Sequence, residues 1–149
     1  MSGFSLTKFL LIFVAIAILV GGGLTATYFV LKQQQTSSAQ LFMQSFIDEV
    51  EKNDAQSTFK SFSTSLKTND QQASYYSWLF WMAAFNTDTN KVTITQPAES
   101  ITYKDASLFN VLGSKEAIIF IYTTSGNSKI SFQAVKSSDE WVLSNYAAL

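Results

Sequence analysis

Residues 117–146 read AIIFIYTTSGNSKISFQAVKSSDEWVLSNY. From Ala117 to Thr123 nearly every side chain is apolar, the pattern of a central strand covered on both faces. Ser125-Gly126-Asn127-Ser128 is a turn cluster, and the stretch from Ile130 to Lys136 returns as a partner strand. Ser137-Ser138-Asp139 turns the chain again, and a strand from Trp141 to Tyr146 closes it. Turns this short join antiparallel neighbours, because a parallel crossover needs a dozen or more residues. Further upstream, Val92 and Ile94 alternate with Thr93 and Thr95, and Ile101 and Tyr103 make another short run. Pro97 is the single proline.

Before Thr87 the period is helical. Ser37-x-x-Gln40 makes a capping box, and Phe42, Phe46 and Val50 recur at i, i+4, i+8, with Met43 and Ile47 beside them. Asn53-Asp54 stops this helix. Asp54 then caps a second, along which Ala55, Phe59, Phe62 and Leu66 keep helical spacing. Asn69 or Asp70 opens a third that runs to Phe85. Helices first and strands later predict an α+β domain over 39–149, three helices on one face of a curved antiparallel sheet. Its expected core gathers Phe46, Phe59, Ile119, Ile121 and Trp141.

This order resembles the nuclear transport factor 2-like, or cystatin-like, superfamily, and within it small membrane-anchored bacterial members of unknown function. Phe46 before Asp54 at the helix break, Phe59 after it, and the glycine-containing hairpin followed by a strand opening on Trp141 carry the likeness, which spans 40–146. The resemblance implies a cone between helix and sheet. In the enzymes of the superfamily that cone holds acid–base residues such as Asp, Tyr or His.

The amino-terminal stretch, 3–23, is GFSLTKFLLIFVAIAILVGGG. No residue from Phe9 to Leu31 is charged, a run of 23 positions, where a membrane-spanning helix needs ~20. Lys8 and Lys32 bracket it, and Tyr28 and Phe29 stand where interfacial aromatics belong. The chain thus divides into a head (1–8), a transmembrane helix held by membrane lipid (9–31), a polar tether KQQQTSS (32–38) and the folded domain. A core helix would show a polar face. A cleaved signal, with its apolar region over 9–20 and a site at Thr25-Ala26-Thr27, would not turn apolar again at Tyr28-Phe29-Val30-Leu31. A third alternative is the head of a type IV pilin, which the stretch resembles at Gly3, Phe4, Ser5 and Leu6. It departs from that pattern at Lys8, where pilins carry Glu, and in its short leader without lysine or arginine. A short head before a large folded tail fits a signal-anchor, single-pass in the cell membrane, with the domain outside the cytoplasm.

The rest of the composition removes chemistries. All 10 basic residues are lysine and the net charge is −1, so the basic, arginine-bearing surface of a nucleic-acid binder is missing. Without cysteine or histidine there is no thiol nucleophile, disulfide, thiolate or imidazole metal ligand, or Ser-His triad. Acids remain, but Asp48 points away from the apolar face of its helix, with Glu49 and Glu51 well round from it. Asp139 and Glu140 sit in a turn, and Asp105 and Glu116 flank strands. No catalytic residue, metal site or cofactor is expected.

One stretch stands out. Residues 71–87, QQASYYSWLFWMAAFNT, carry no charge, and Tyr75, Tyr76, Trp78, Phe80, Trp81 and Phe85 place six aromatics in eleven positions. On a helix Tyr75, Leu79 and Met82 share one side, while Trp78, Trp81 and Phe85 lie well round from it. Six such rings exceed what a small sheet needs from one helix. Tyr75, Tyr76, Trp78, Trp81 and Phe85 are therefore the candidate surface for a protein partner, a hydrophobic ligand or lipid headgroups, with at least one of the two tryptophans accessible. The sequence reads as a membrane-anchored extracytoplasmic binding or scaffolding protein and not an enzyme. The alternatives are a pilin-like subunit and a small enzyme using an acid in the cone.

Overall fold

The computed structural model describes residues 6–68, 70–87, 90–91, 94, 97–104 and 117–149, and side chains within 10–68, 70–83, 94, 97–104 and 117–149. The Gly3-Phe4 junction, Asn69, most of the run from Val92 to Thr95, Asp105 and Glu116 lie outside these residues.

Helix α1 runs unbroken over Leu6–Glu51, 46 residues. It is long and apolar enough to cross a membrane, and none of its most apolar stretch is buried by the rest of the chain. A core helix would be covered, so that alternative fails. Gly21, Gly22 and Gly23 do not interrupt α1. The Thr25 and Thr27 hydroxyls donate to the Gly21 and Gly23 carbonyls at 2.8 and 2.9 Å, and space for a side chain is open at all three glycines.

Residues 32–38, expected as a tether, continue the helix, and Ser37 is an internal residue and not a cap. Lysine and glutamine are strong helix formers, and no proline or glycine follows Gly23 in α1. These polar side chains are used. The Lys32 ammonium sits 4.0 Å from the centre of the Tyr103 ring. Thr36 Oγ1 and the Tyr103 hydroxyl share a hydrogen bond of 2.6 Å, and the Trp141 indole N–H donates to Ser38 Oγ. The folded domain therefore grips the stem from Lys32 onward.

Further along α1, Ala39, Met43, Phe46, Ile47 and Val50 form one buried stripe while Asp48 is exposed. Asn53, at φ 59°, adopts the left-handed conformation that ends the helix. Asp54 then caps α2, Ala55–Lys60, accepting the Ser57 N–H at 2.9 Å. That bond holds the Asp54 carboxyl below its ordinary pKa. The second helix is shorter than its spacing suggested. It breaks at 61–63, and a separate turn, α3, spans Thr64–Lys67 under a Ser63 cap. The break occurs because the backbone around Phe62 pairs with Leu143: Leu143 N–H donates to Ser61 O and Ser63 N–H to Leu143 O, both at 2.7 Å. Helix α4, Gln71–Phe85, starts where Asp70 accepts the Ala73 N–H at 2.9 Å.

Two-residue strands β1, Asn86–Thr87, and β2, Asn90–Lys91, pair with each other. The main sheet is an antiparallel meander of β3 (Ser100–Lys104), β4 (Ala117–Thr123), β5 (Lys129–Ser137) and β6 (Glu140–Ala148), in that spatial order. Ile94 bridges to Thr124, and its N–H donates to Glu51 Oε1 at 2.9 Å. Glu51 is thus part of the fold and not a solvated charge.

The inner face of β4 is Ile118, Phe120 and Tyr122. Ile119 and Ile121, expected in the core, point to the other face and are half-buried. In a strand apolar at both parities, period two cannot tell inside from outside. Phe46 is buried as expected, whereas Phe59 and Trp141 pack on the core's margin. A bulge leaves Ser144 without a partner residue: Ala134 pairs with Leu143 and Gln133 with Asn145. The extra residue turns both Leu143 and Tyr146 inward. Tyr146 joins Phe46, Phe62, Trp78, Trp81 and Phe132 in one aromatic cluster with neighbouring centroids 5.0–5.9 Å apart, and Leu143 is fully buried in the same core.

Candidate binding surface

The rotation of α4 is fixed by one polar bond inside an apolar core. Trp78 is 0% exposed. Its indole N–H needs an acceptor there and finds Thr58 Oγ1 at 2.8 Å. Met82, one turn on, is also fully buried and touches the same hydroxyl through its sulfur at 3.7 Å. Trp81 stacks on Trp78, centroids 5.0 Å apart and planes 16° apart, and is half-buried. Tyr75 lies half-buried edge-on to Phe59 at 5.3 Å.

With that side inward, the opposite side is left uncovered. Tyr76 is 57%, Leu79 40% and Phe80 78% exposed; Ala73 and Ala83 are exposed beside them. Of the four singled-out residues whose side chains are described, Tyr76 alone presents most of its side chain. Tyr75 and Trp81 contribute edges, Trp78 is core, and the side chain of Phe85 lies outside the described residues. Phe80, Leu79 and Ala83 were missed. The signal that finds Phe80 and Ala83 is helical phase: once Trp78 and Met82 are inward, Tyr76, Phe80 and Ala83, at i, i+4, i+7, must be outward, while Leu79 sits at the flank between the two sides.

A cavity of about 320 Å³ opens elsewhere, between Ser37, Gln40, Leu41 and Gln44 of α1 and Pro97, Ala98, Phe120 and Tyr122. Burial pushes the Tyr122 phenol above its ordinary pKa, so it stays neutral. Among the described residues that line it, none is charged. Tyr146 is raised by burial too, less strongly. Glu99 accepts from Lys129 Nζ at 2.7 Å and from Thr123 Oγ1 at 2.8 Å, and these bonds lower its pKa. Among the described residues no three acids converge on a common point.

No protein-family model, curated protein or solved structure matches this chain.

Proposed function

We propose that this chain is a membrane-anchored binding or scaffolding protein whose domain stands outside the cytoplasm and docks a partner through the outward face of α4. One observation carries the reading: a row of apolar side chains, uncharged and uncovered, on a helix whose other side is locked into the core. Isolated exposed apolar residues are ordinary, but a contiguous row of them is the usual mark of an interaction site. The helices gathered on one face of a bulged antiparallel sheet support the nuclear transport factor 2-like cone. Among the described residues, the lining of the cavity between α1 and β4 holds no carboxylate for acid–base chemistry. In the full-length chain in mild detergent, Phe80→Ser should leave the melting temperature unchanged and abolish partner capture or self-association. Unchanged association in both Phe80→Ser and Tyr76→Ser would refute the docking role.

The unbroken course of α1 favours a second reading, the pilin-like subunit. A plain anchored domain was expected on a polar tether, whereas the pilin resemblance implies a long helix running on from the amino terminus. Mass measurement of the mature chain separates them: a product beginning at Phe4 supports the pilin, and an intact amino terminus supports the anchor.

A further inference from the structure

The spacing of the exposed α4 residues is a heptad seam. Ala73, Tyr76, Phe80 and Ala83 follow one another by three, four and three, the rhythm of positions that meet a partner helix. All four are exposed. We propose that this seam pairs with the same seam on a second copy of the chain anchored in the same membrane. The proposal rests on the anchored reading given above and names its partner.

Charge points to a like partner. No residue from Gln71 to Thr87 is charged, so two copies meet without repulsion, and a charged partner finds no counter-charge on the helix. The pattern is also self-complementary in size, with small residues at both ends of the row and aromatics in the middle.

Height argues against the bilayer as the occupant. The Trp78 ring lies 5.9 Å from that of Phe46, and Phe46 is fifteen positions beyond Leu31, about 22 Å along the helix axis. The headgroup layer reaches only about 5–8 Å past the hydrocarbon edge. Even with α4 parallel to the membrane normal and Trp78 a full ring separation lower than Phe46, Tyr76 and Phe80, two residues either side of Trp78, stay about 13 Å above that edge. The grip of Tyr103 and Trp141 on Lys32, Thr36 and Ser38 then sets the seams of two anchored copies at equal height.

Area sets the strength. The exposed parts of Tyr76, Leu79 and Phe80 amount to on the order of 300–400 Å² per copy, about half of the ~800 Å² that each side of a standard interface buries. Free copies would barely pair. Confinement of both anchors to one bilayer raises their effective concentration and makes a contact of this size sufficient.

The absence of native cysteine makes single-thiol footprinting clean. Full-length Ala83→Cys, in vesicles of phosphatidylcholine and phosphatidylglycerol, is treated with a membrane-impermeant maleimide at high protein density and after hundredfold dilution with lipid. Labelling should be about tenfold slower at high density, and Ala73→Cys should behave alike. Gln56→Cys, exposed on α2, should react equally at both densities. Energy transfer between copies labelled at Gln56→Cys should fall on dilution and vanish with Phe80→Ser. Equally fast labelling of Ala83→Cys at both densities overturns the proposal, and equally slow labelling overturns it in favour of a bilayer cover. Energy transfer that survives Phe80→Ser also overturns it by placing the contact elsewhere. An overturned pairing accompanied by Phe80-dependent capture of a different protein would leave the broader docking role standing.

Discussion

Thr58→Val tests the bond that orients α4. Thr58 is fully buried, and its hydroxyl accepts from Trp78 Nε1 at 2.8 Å while lying 2.9 Å from Asp54 O and 3.1 Å from Ala55 O. Valine has nearly the same volume, so no cavity opens. The Asp54 carbonyl keeps the Thr58 backbone N–H at 3.1 Å. What remains is an indole N–H buried without an acceptor, which costs about 1–3 kcal/mol. Thr58→Ser keeps the hydroxyl and loses one methyl group, about 0.8 kcal/mol. Valine should therefore be the worse substitution, although it is the better match in volume. In a Trp78→Phe background there is no N–H to strand, and Thr58→Val should cost only a few tenths of a kcal/mol, a coupling of about 1 kcal/mol or more. The assay is urea unfolding of the full-length chain in nonionic micelles, followed by tryptophan fluorescence. With a slope of about 1–3 kcal/mol per molar, a loss of 2 kcal/mol moves the midpoint by roughly 1 M. If valine costs no more than serine, the indole does not depend on Thr58. The rotation of α4, and with it the outward placement of Tyr76 and Phe80, would then be wrong.

Two further outcomes follow from the stem and the caps. Tyr103→Ala removes both the ring over Lys32 and the hydroxyl at Thr36, and should expose the stretch between Lys32 and Ser38 to proteases in the micelle-bound chain, while Tyr103→Phe should protect it nearly as well as the parent; equal protection in all three would show that this contact does not hold the domain. Asp54 has its pKa lowered by the Ser57 N–H, so the folded state binds this proton less readily than the unfolded one. Its contribution is complete above the ordinary carboxylate pKa and is lost as pH falls through the lower folded value. A plot of melting temperature against pH should lose that part of its acid limb in Asp54→Ala, and an unchanged limb would assign the acid sensitivity to other groups.

Much of the secondary structure was legible, since capping chemistry and period are local signals. Asp54 as a cap, the α4 start near Asp70, and the three strands after Ala117 were read from a few neighbouring residues each. What failed depended on contacts distant in sequence. Nothing near Phe62 announces that its backbone will bond to Leu143, and so the second helix looked longer than it is. Nothing in KQQQTSS shows that Tyr103 and Trp141 wait for its hydroxyls and ammonium, so polarity was read as a tether. The face of β4 was ambiguous because both parities are apolar. The binding surface failed by half for a related reason. Aromatic density marked α4, but only the acceptor at Thr58, thirteen or more residues away, decides which of those rings turn inward.

The stem without slack has a geometric consequence. A domain on a loose linker sweeps a hemisphere and samples every bearing. One clamped to its own continuous helix keeps a fixed azimuth relative to that helix, so, on the anchored reading proposed above, the compass direction of α4 is written into the number of residues between the apolar span and the clamp. A single residue added between Leu31 and Lys32 would swing the whole domain by about 100° and lift it by about 1.5 Å. Two residues would carry it about 200°, just past the opposite side. The distance from anchor to clamp, unremarkable in composition, acts as an angular setting that substitutions leave alone and insertions scramble.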